Sequence, residues 1–122
     1  VYKRQPYNKL TVDPLIQRKN MIIAYSTAPN ETVAHEIAHH LIQAKLAACI
    51  NVLPNIKSIY HWNNEIVEDN EVLMMIKSES SKQQILIDTL VKMHPYDTPE
   101  VIIVPIENGF HGYLEWIHQS LN

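Results

Sequence analysis

The fold is decided by residues 46–77, LAACINVLPNIKSIYHWNNEIVEDNEVLMMIK. This stretch predicts two long strands that fold back at Asn63-Asn64, since asparagine is the non-glycine residue that best tolerates the positive φ of a two-residue hairpin turn. Both alternating sets of the returning arm are apolar, and they comprise Val72, Met74 and Ile76 on one face and Leu73 and Met75 on the other. A solvated antiparallel strand shows a polar face, so this sheet is predicted to be covered on both faces. The second face is predicted to be covered by another copy of the chain.

The outgoing arm of the hairpin alternates as well. One of its faces carries Ile56, Tyr60 and Trp62, and the other carries Lys57, Ile59 and His61. We interpret His61 and Trp62 as a packing or interface pair, with a binding site as the alternative. Trp62 is predicted to be buried where a second copy contacts the hairpin.

Length and composition describe one ordinary globular domain. The chain has 122 residues, of which 46% are hydrophobic and 19% are charged, with a net charge of -3 and a pI of about 6.1. This mild acidity gives no electrostatic reason to expect nucleic acid or an anionic membrane as a partner, and no apolar run reaches the roughly 18 residues of a membrane span. The single cysteine, Cys49, excludes an intrachain disulfide, and its apolar context favours a small buried side chain in a reducing compartment over a reactive thiol.

The rest of the chain supplies two strands and three helices. Asn30 is a good N-cap for the first helix, residues 81–84 have the form of a capping box for the second, and Pro95 ends that second helix near His94. The predicted elements are a strand at Met21–Ala28, a helix from residue 31 to about 45, the hairpin, a helix from 83 to about 94, a strand at Val101–Ile106 and a short terminal helix. This order predicts a ferredoxin-like α+β fold, βαββαβ, with a four-stranded antiparallel sheet and the helices on one face.

Residues 1–20 differ in composition from the rest of the chain. They carry five basic residues, two prolines and a single acid, Asp13. We expect a solvated N-terminal tail that can be deleted without loss of stability, followed by one domain at 21–122. A remnant of an organelle-targeting segment is the alternative. We therefore expect a cytoplasmic protein, with an organellar location as the alternative.

Residues 35–39, HEIAH, match the H-E-x-x-H motif on the first predicted helix. In zinc peptidases the two histidines of this motif, here His35 and His39, bind zinc from one helix face. The glutamate, here Glu36, activates the bound water. A zinc hydrolase is therefore one of the functions to be weighed.

The surroundings of the motif argue against that function. On a helical wheel the two histidines lie nearly opposite Ile37 and Leu41, so they are predicted to face solvent rather than a walled cleft. Ile42 and Lys45 stand where the extended motif has a glycine and a third histidine. We interpret the motif as incidental, retain a zinc hydrolase as a remote alternative, and expect at most weak Cu(II) or Zn(II) binding by the exposed pair.

Six segments between Met21 and Leu121 resemble the CutA family of divalent-cation tolerance proteins, and they read STAPN, LAACINVLP, SIYHWNNEI, EVLMMIKS, HPYDTPEVI and YLEWI. The resemblance implies a ferredoxin-like subunit in a tight homotrimer, related in architecture to the PII signal proteins. It also implies a role in tolerance of and response to metal ions, copper among them, with no reaction catalysed. The residues that match the family pattern are Cys49, Asn51, Tyr60, Trp62, Glu71, Lys77, His94, Pro95, Tyr96, Pro99, Glu100, Tyr113 and Trp116.

The chain departs from the copper-binding pattern of bacterial relatives at two places. Those relatives carry a cysteine just before the TAP-type segment, where this chain has Ser26, a poor ligand for a soft metal. They carry paired histidines before Pro-Tyr, where this chain has Met93-His94. Met93 and His94 are therefore weak candidates for metal ligands, and no cofactor is expected to be required.

Two functions follow from the resemblance. The first is a homotrimer for metal-ion tolerance. The second is a PII-like signalling protein with small-ligand or anion sites between its subunits, and in that case the loop 94–100 is expected to be ordered and to lie in an inter-subunit cleft with Lys77. The candidate ligand or interface residues are Cys49, Tyr60, Trp62, Lys77, Tyr96 and Glu100.

Overall fold

The computed structural model describes residues 21–122, so the expectations for residues 1–20 lie outside the described part of the chain. The described strands and helices follow one another in the predicted order. They are β1 (Met21–Ala28), α1 (Glu31–Gln43), β2 (Cys49–Trp62), β3 (Glu65–Glu79), α2 (Gln83–Met93), β4 (Ile102–Pro105) and α3 (His111–Leu121).

The four strands form one antiparallel sheet in the order β2-β3-β1-β4. This arrangement confirms the ferredoxin-like α+β fold. Strands β2 and β4 are the two edges of the sheet. Proline ends β4 at Pro105, which agrees with an edge position because proline has no N–H to donate to a neighbouring strand.

The hairpin of β2 and β3 is built as the sequence predicts. Trp62 pairs with Glu65 across the turn, and the two central residues, Asn63 and Asn64, have φ values of 50° and 64°. Positive φ at both central positions matches the right-handed twist of the flanking strands. The two arms therefore run out together as one long ribbon.

A β-bulge interrupts the pairing of β2 with β3 between Leu53 and Ile56. Pro54 cannot donate a backbone hydrogen bond there, and Asn55 adopts a positive φ of 60°. A bulge bends its strand and increases the local twist. The outer half of the ribbon, which pairs Ile56 with Glu71, is thereby turned relative to the inner half.

Helices α1 and α2 cover one face of the sheet. On this face of β3, Met74 and Ile76 are completely buried and Val72 is 5% exposed. The helices contribute most of the remaining core, and their fully buried residues there are Ala34, Ile37 and Leu41 from α1 and Leu86 and Leu90 from α2. Ile37 and Leu41, which the helical wheel placed opposite the two histidines, both lie in this core.

The terminal helix α3 packs on the opposite face, at one end of the sheet. Met21 joins it there, although the next residue, Ile22, belongs to the main core, and successive strand residues point to opposite faces. The α3 residues buried in this second cluster are Leu114, Ile117 and Leu121. The prediction that helices cover one face only is therefore wrong at this end, because α3 packs with Met21 on the face opposite α1 and α2.

The first two helices begin differently. The Asn30 side chain accepts a hydrogen bond from the Val33 N–H at 2.9 Å, as predicted for an N-cap. The capping box predicted for α2 is wrong, because Ser81 lies inside a 3-10 turn at Ser80–Lys82 and the capping residue, Lys82, makes no side-chain cap bond. An N-cap serine requires an extended backbone, and the 3-10 turn removes it.

Candidate functional site

The face of the sheet opposite α1 and α2 is apolar and largely uncovered. Directly paired residues share a face, so Tyr25 lies on this face with its partners Met75 and Ile102. We call this surface the open face, and its residues are Ile23, Tyr25, Leu53, Leu73, Met75, Ile102 and Val104. Ile102 is 52% exposed and Val104 is 40% exposed. A contiguous apolar surface of this kind marks a site of contact with another molecule.

Two tyrosine–carboxylate pairs stand where the hairpin leaves the body of the subunit. The Tyr96 hydroxyl donates to the Glu71 carboxylate at 2.9 Å, and the Tyr60 hydroxyl donates to Asp69. We call these four residues the tyrosine–carboxylate cluster. It ties the loop after α2 to strands β2 and β3, and Glu71 is buried within it.

The cluster keeps both tyrosines protonated. Burial raises the pKa of Tyr96 to about 12, and the hydrogen bond to Glu71 adds to the increase. The hydrogen bond to Asp69 raises the pKa of Tyr60. A phenol with a raised pKa donates a hydrogen bond and does not act as a base or nucleophile at neutral pH. The cluster is therefore suited to holding the loop in place.

His94 is buried and both of its ring nitrogens have partners. Nε2 lies 2.7 Å from the Thr27 carbonyl, and Nδ1 accepts the Tyr96 N–H at 3.1 Å. A carbonyl only accepts, so Nε2 carries the proton and the ring is the neutral tautomer. A metal ion at His94 would have to displace one of these bonds. The neighbouring candidate, Met93, packs against the main core.

Lys77 lies on the same side of the sheet as the open face and donates a hydrogen bond to Asn51. Cys49 is the direct partner of Lys77 in the β2–β3 ladder and is partly buried. Lys77 is six residues from Glu71 along β3, about 20 Å at the rise of a strand. Within one chain, the structure therefore does not bring Lys77 to the loop that carries Tyr96.

The remaining interface candidates are exposed in the single chain. Trp62 at the hairpin tip is 64% exposed, and Glu100 at the end of the loop is exposed as well. Exposure of a tryptophan at this level is what a surface that contacts another subunit requires. Its burial by a second copy stays a prediction.

The two histidines of the H-E-x-x-H motif are exposed. His35 and His39 line an open groove between α1 and the edge strand β2, together with Ile50 and Val52. The wheel places them opposite the core, but the outer edge of the sheet extends beside them. Among the described residues, no group of three or more His, Cys, Asp and Glu is arranged to hold a metal ion, so the three protein ligands of a catalytic zinc are not assembled there.

A second polar cluster was missed by sequence reasoning. His118 Nδ1 lies 2.8 Å from a Glu79 carboxylate oxygen, and the Asn122 side chain donates to the other oxygen at 3.1 Å. Burial raises the pKa of Glu79, but the hydrogen bonds from His118 and Asn122 outweigh this and lower it. This cluster fixes α3 to the end of β3. No spacing in the sequence indicates it, because Glu79 and Asn122 are 43 residues apart.

The fold and these sites define a class of protein. It is a small α+β subunit with a ferredoxin-like sheet, a hairpin that projects from the body, and an apolar face available to other chains. No helix in the described part of the chain is long and apolar enough to cross a membrane. The described hydrogen bonds of the two polar clusters join distant parts of the chain, Tyr96 to Glu71 and His118 to Glu79.

Comparison with known proteins identifies the family. The family model described as CutA1 divalent ion tolerance protein matches residues 22–120, and the chain belongs to this family. It is 52% identical over 94 residues to the CutA homolog of Xenopus laevis, a match that covers 77% of this chain and 62% of that protein. The chain thus spans less than two thirds of this vertebrate relative.

A bacterial relative and a solved structure match along most of their length. The divalent-cation tolerance protein CutA of Pectobacterium atrosepticum is 40% identical over 100 residues, covering 82% of this chain and 91% of that one. The crystal structure of CutA1 from Oryza sativa superposes with a TM-score of 0.82 at 38% identity, covering 85% of this chain and 95% of that one. The resemblance found in the sequence is therefore confirmed.

Proposed function

We propose that the protein is a non-catalytic homotrimer that serves tolerance of divalent metal ions, copper among them. The observation that carries the assembly is the open face. Its strands present apolar side chains on both sides of the sheet, and the helices of one chain cover only one side and the end of the other. The metal-ion role is supported by the names of the relatives, which include divalent-cation tolerance proteins.

The energetics favour coverage of the open face by further copies of the chain. Each Å² of apolar surface removed from water contributes about 25 cal/mol, so burial of several half-exposed aliphatic side chains stabilises an assembly by several kcal/mol. Both edge strands and the projecting hairpin are available for contact around this face. A closed ring of copies covers every open face in the same way.

The tyrosine–carboxylate cluster supports a non-catalytic role. Its hydroxyls are donors with raised pKa values, and the neighbouring His94 is held at both ring nitrogens. Such a cluster sets the position of the loop 94–100 against the hairpin. We infer that it positions a surface for contact between subunits.

A second candidate is a PII-like protein that binds a small anion between subunits. The observation that favours it is Lys77, whose ammonium group lies on the side of the sheet that a neighbour would cover. An ammonium at an interface attracts an anionic ligand in a medium of lowered dielectric. Loss of anion binding in a Lys77→Gln variant that keeps its assembly would support this candidate.

Two measurements test the leading proposal. Light scattering on the purified chain should give three times the single-chain mass of 14.1 kDa at micromolar concentration. In cells that lack their own CutA protein, the chain should restore growth at elevated copper, and Ile102→Lys, which charges the open face, should not. A stable single chain, or growth in copper that does not depend on the protein, would contradict it.

A further inference from the structure

One side of α1 carries polar side chains at four-residue intervals, and they are Glu31, His35, His39 and Gln43. Four residues advance a helix by about 6 Å and turn it by little more than one full turn, so consecutive members of this series are neighbours. His35, His39 and Gln43 also border the groove beside β2. The two imidazoles are thus placed one turn apart at the same groove.

These two imidazoles differ from the other histidines whose contacts the structure describes in detail. His94 uses both ring nitrogens and His118 bonds Glu79. Within the described residues, neither His35 nor His39 has a hydrogen bond or an ion pair through its ring, and both are exposed. No internal bond has to be broken before they bind a ligand.

The groove leaves room beside the two rings. Its lining includes Ala38, a residue with a small side chain. Ile50 and Val52 form an apolar wall on the β2 side. The wall limits the access of water from one direction, while the other directions stay open. Glu31 stands one turn before His35 and adds a negative charge near the groove.

We propose that His35 and His39 form a two-nitrogen site for a borderline divalent transition-metal ion, with the remaining coordination positions taken by water. Imidazole suits Cu(II), Ni(II) and Zn(II), whereas Mg²⁺ and Ca²⁺ prefer oxygen ligands. Two ligands are fewer than a structural or catalytic zinc requires, so the ion exchanges readily with solution. The biological use of this site rests on the proposed function, but the binding is a property of this helix face alone.

The test is a titration of the purified 122-residue chain with Cu(II), Ni(II) and Zn(II) against a competing chelator at pH 7.5. The affinity should be highest for Cu(II), as the general order of divalent metals requires. His35→Ala and His39→Ala should each weaken binding roughly tenfold or more, because a single imidazole replaces a chelate. The Cu(II) EPR spectrum should show coupling to two nitrogens in the unaltered chain and to one in either variant.

His40→Ala is the matched control. His40 is exposed on the same helix but does not border the groove, so its removal should leave the affinity unchanged. In the His40→Ala background, exchange of residues 39 and 43 (His39→Gln with Gln43→His) keeps the composition but separates the imidazoles by about 12 Å along the helix. Binding should fall to the level of a single imidazole in that variant.

The outcomes separate this site from the proposed function. Equal affinity in the unaltered chain and the His35→Ala variant, or an equal loss in His40→Ala, would overturn the site. If the site is confirmed while the chain fails to support growth at elevated copper, the site stands and the tolerance role fails. Loss of copper tolerance in the trimer with His39→Ala would connect the two.

Discussion

The two faces of β3 carry similar side chains in different surroundings. Met74 and Ile76 on one face are completely buried, whereas Leu73 and Met75 on the other are only half-buried. Nothing in the chemistry of these residues separates the two sets. The difference comes from what one chain can place over them: α1 and α2 cover the first face, and α3 covers only the end of the second.

The sequence of a single strand can indicate that one chain does not complete its own core. When both alternating sets are apolar and one chain has cover for only one of them, the surplus set predicts a contact outside that chain. In the single chain, the open face has the composition of a core and the exposure of a surface. Substitutions on the two faces should therefore differ in how their effects depend on protein concentration.

The largest effect on stability is expected when a large aliphatic side chain is removed from the helix-covered face. Ile76→Ala should lower the free energy of unfolding by about 2–5 kcal/mol, because it leaves a cavity in a completely buried site. The cost should be the same at all protein concentrations. Met75→Ala, on the next residue, should cost less in dilute protein and more in concentrated protein, where assembly buries it. Denaturant unfolding at several concentrations measures both, and a Met75→Ala cost that does not vary with concentration would argue against a contact at the open face.

A charge on the open face should separate the subunits and leave each fold intact. Ile102→Lys places an ammonium where an apolar contact is proposed, at a cost of several kcal/mol to assembly. Ile85→Lys is the matched control, because Ile85 on α2 is 55% exposed and Ile102 is 52% exposed. Light scattering should give a single-chain mass for Ile102→Lys only, with unchanged circular dichroism. Dissociation by both variants, or by neither, would contradict the assignment of the open face.

Substitutions in the tyrosine–carboxylate cluster should change stability less. The cluster has two tyrosine–carboxylate pairs, so one pair serves as the control for the other. Tyr96→Phe removes the donor to buried Glu71 and should cost about 1 kcal/mol, whereas Tyr60→Phe at an exposed pair should cost less. Absorbance titration of the phenols should show the pKa of Tyr96 at about 12, and Glu71→Gln should bring it down. Equal costs for the two tyrosines would show that burial of Glu71 does not matter.

The stability of the contact between α3 and the sheet should depend on pH, because it includes the Glu79 carboxylate. The pKa of Glu79 in the folded chain is lowered below its ordinary value of 4.5, so the folded state favours the ionised carboxylate. The stability contributed by this group is present above the pKa of the unfolded chain and is lost as pH falls through the lower folded value. Glu79→Gln should flatten the acid limb of the stability curve, while Glu107→Gln, at an exposed carboxylate, should leave it unchanged. Chemical unfolding between about pH 3 and pH 7 measures this.

The features that the sequence predicted are those fixed by local chemistry. Alternation along β2 and β3, the turn at Asn63-Asn64 and the Asn30 cap each depend on a few adjacent residues. The wheel placed the core face of α1 correctly for the same reason. Family resemblance added the expectation of metal tolerance and a trimer, which the alternation alone does not specify.

The features that the sequence missed depend on how distant elements dock. Tyr96 meets Glu71 across 25 residues, and α3 packs with Met21, which lies at the other end of the described chain. The groove beside His35 was missed because a helical wheel describes one helix and does not include the edge strand next to it. The capping box was mispredicted because a 3-10 turn placed Ser81 in a helical conformation.

Two serines on the helix-covered face test whether that face is a complete core, and one of them, Ser26, carries the smallest effect expected. Ser26 and Ser78 are both completely buried. The Ser78 hydroxyl donates to the Leu46 carbonyl at 2.8 Å, whereas the Ser26 hydroxyl has no hydrogen-bond partner among the described residues.

Loss of a satisfied hydroxyl leaves the Leu46 carbonyl unpaired, so Ser78→Ala should destabilise by about 1–2 kcal/mol. Loss of an unsatisfied one removes a desolvation cost, so Ser26→Ala should stabilise by about 0.5 kcal/mol. Denaturant unfolding of both variants at one protein concentration gives the comparison. A loss of stability in Ser26→Ala would mean that the Ser26 hydroxyl makes a hydrogen bond that stabilises the core.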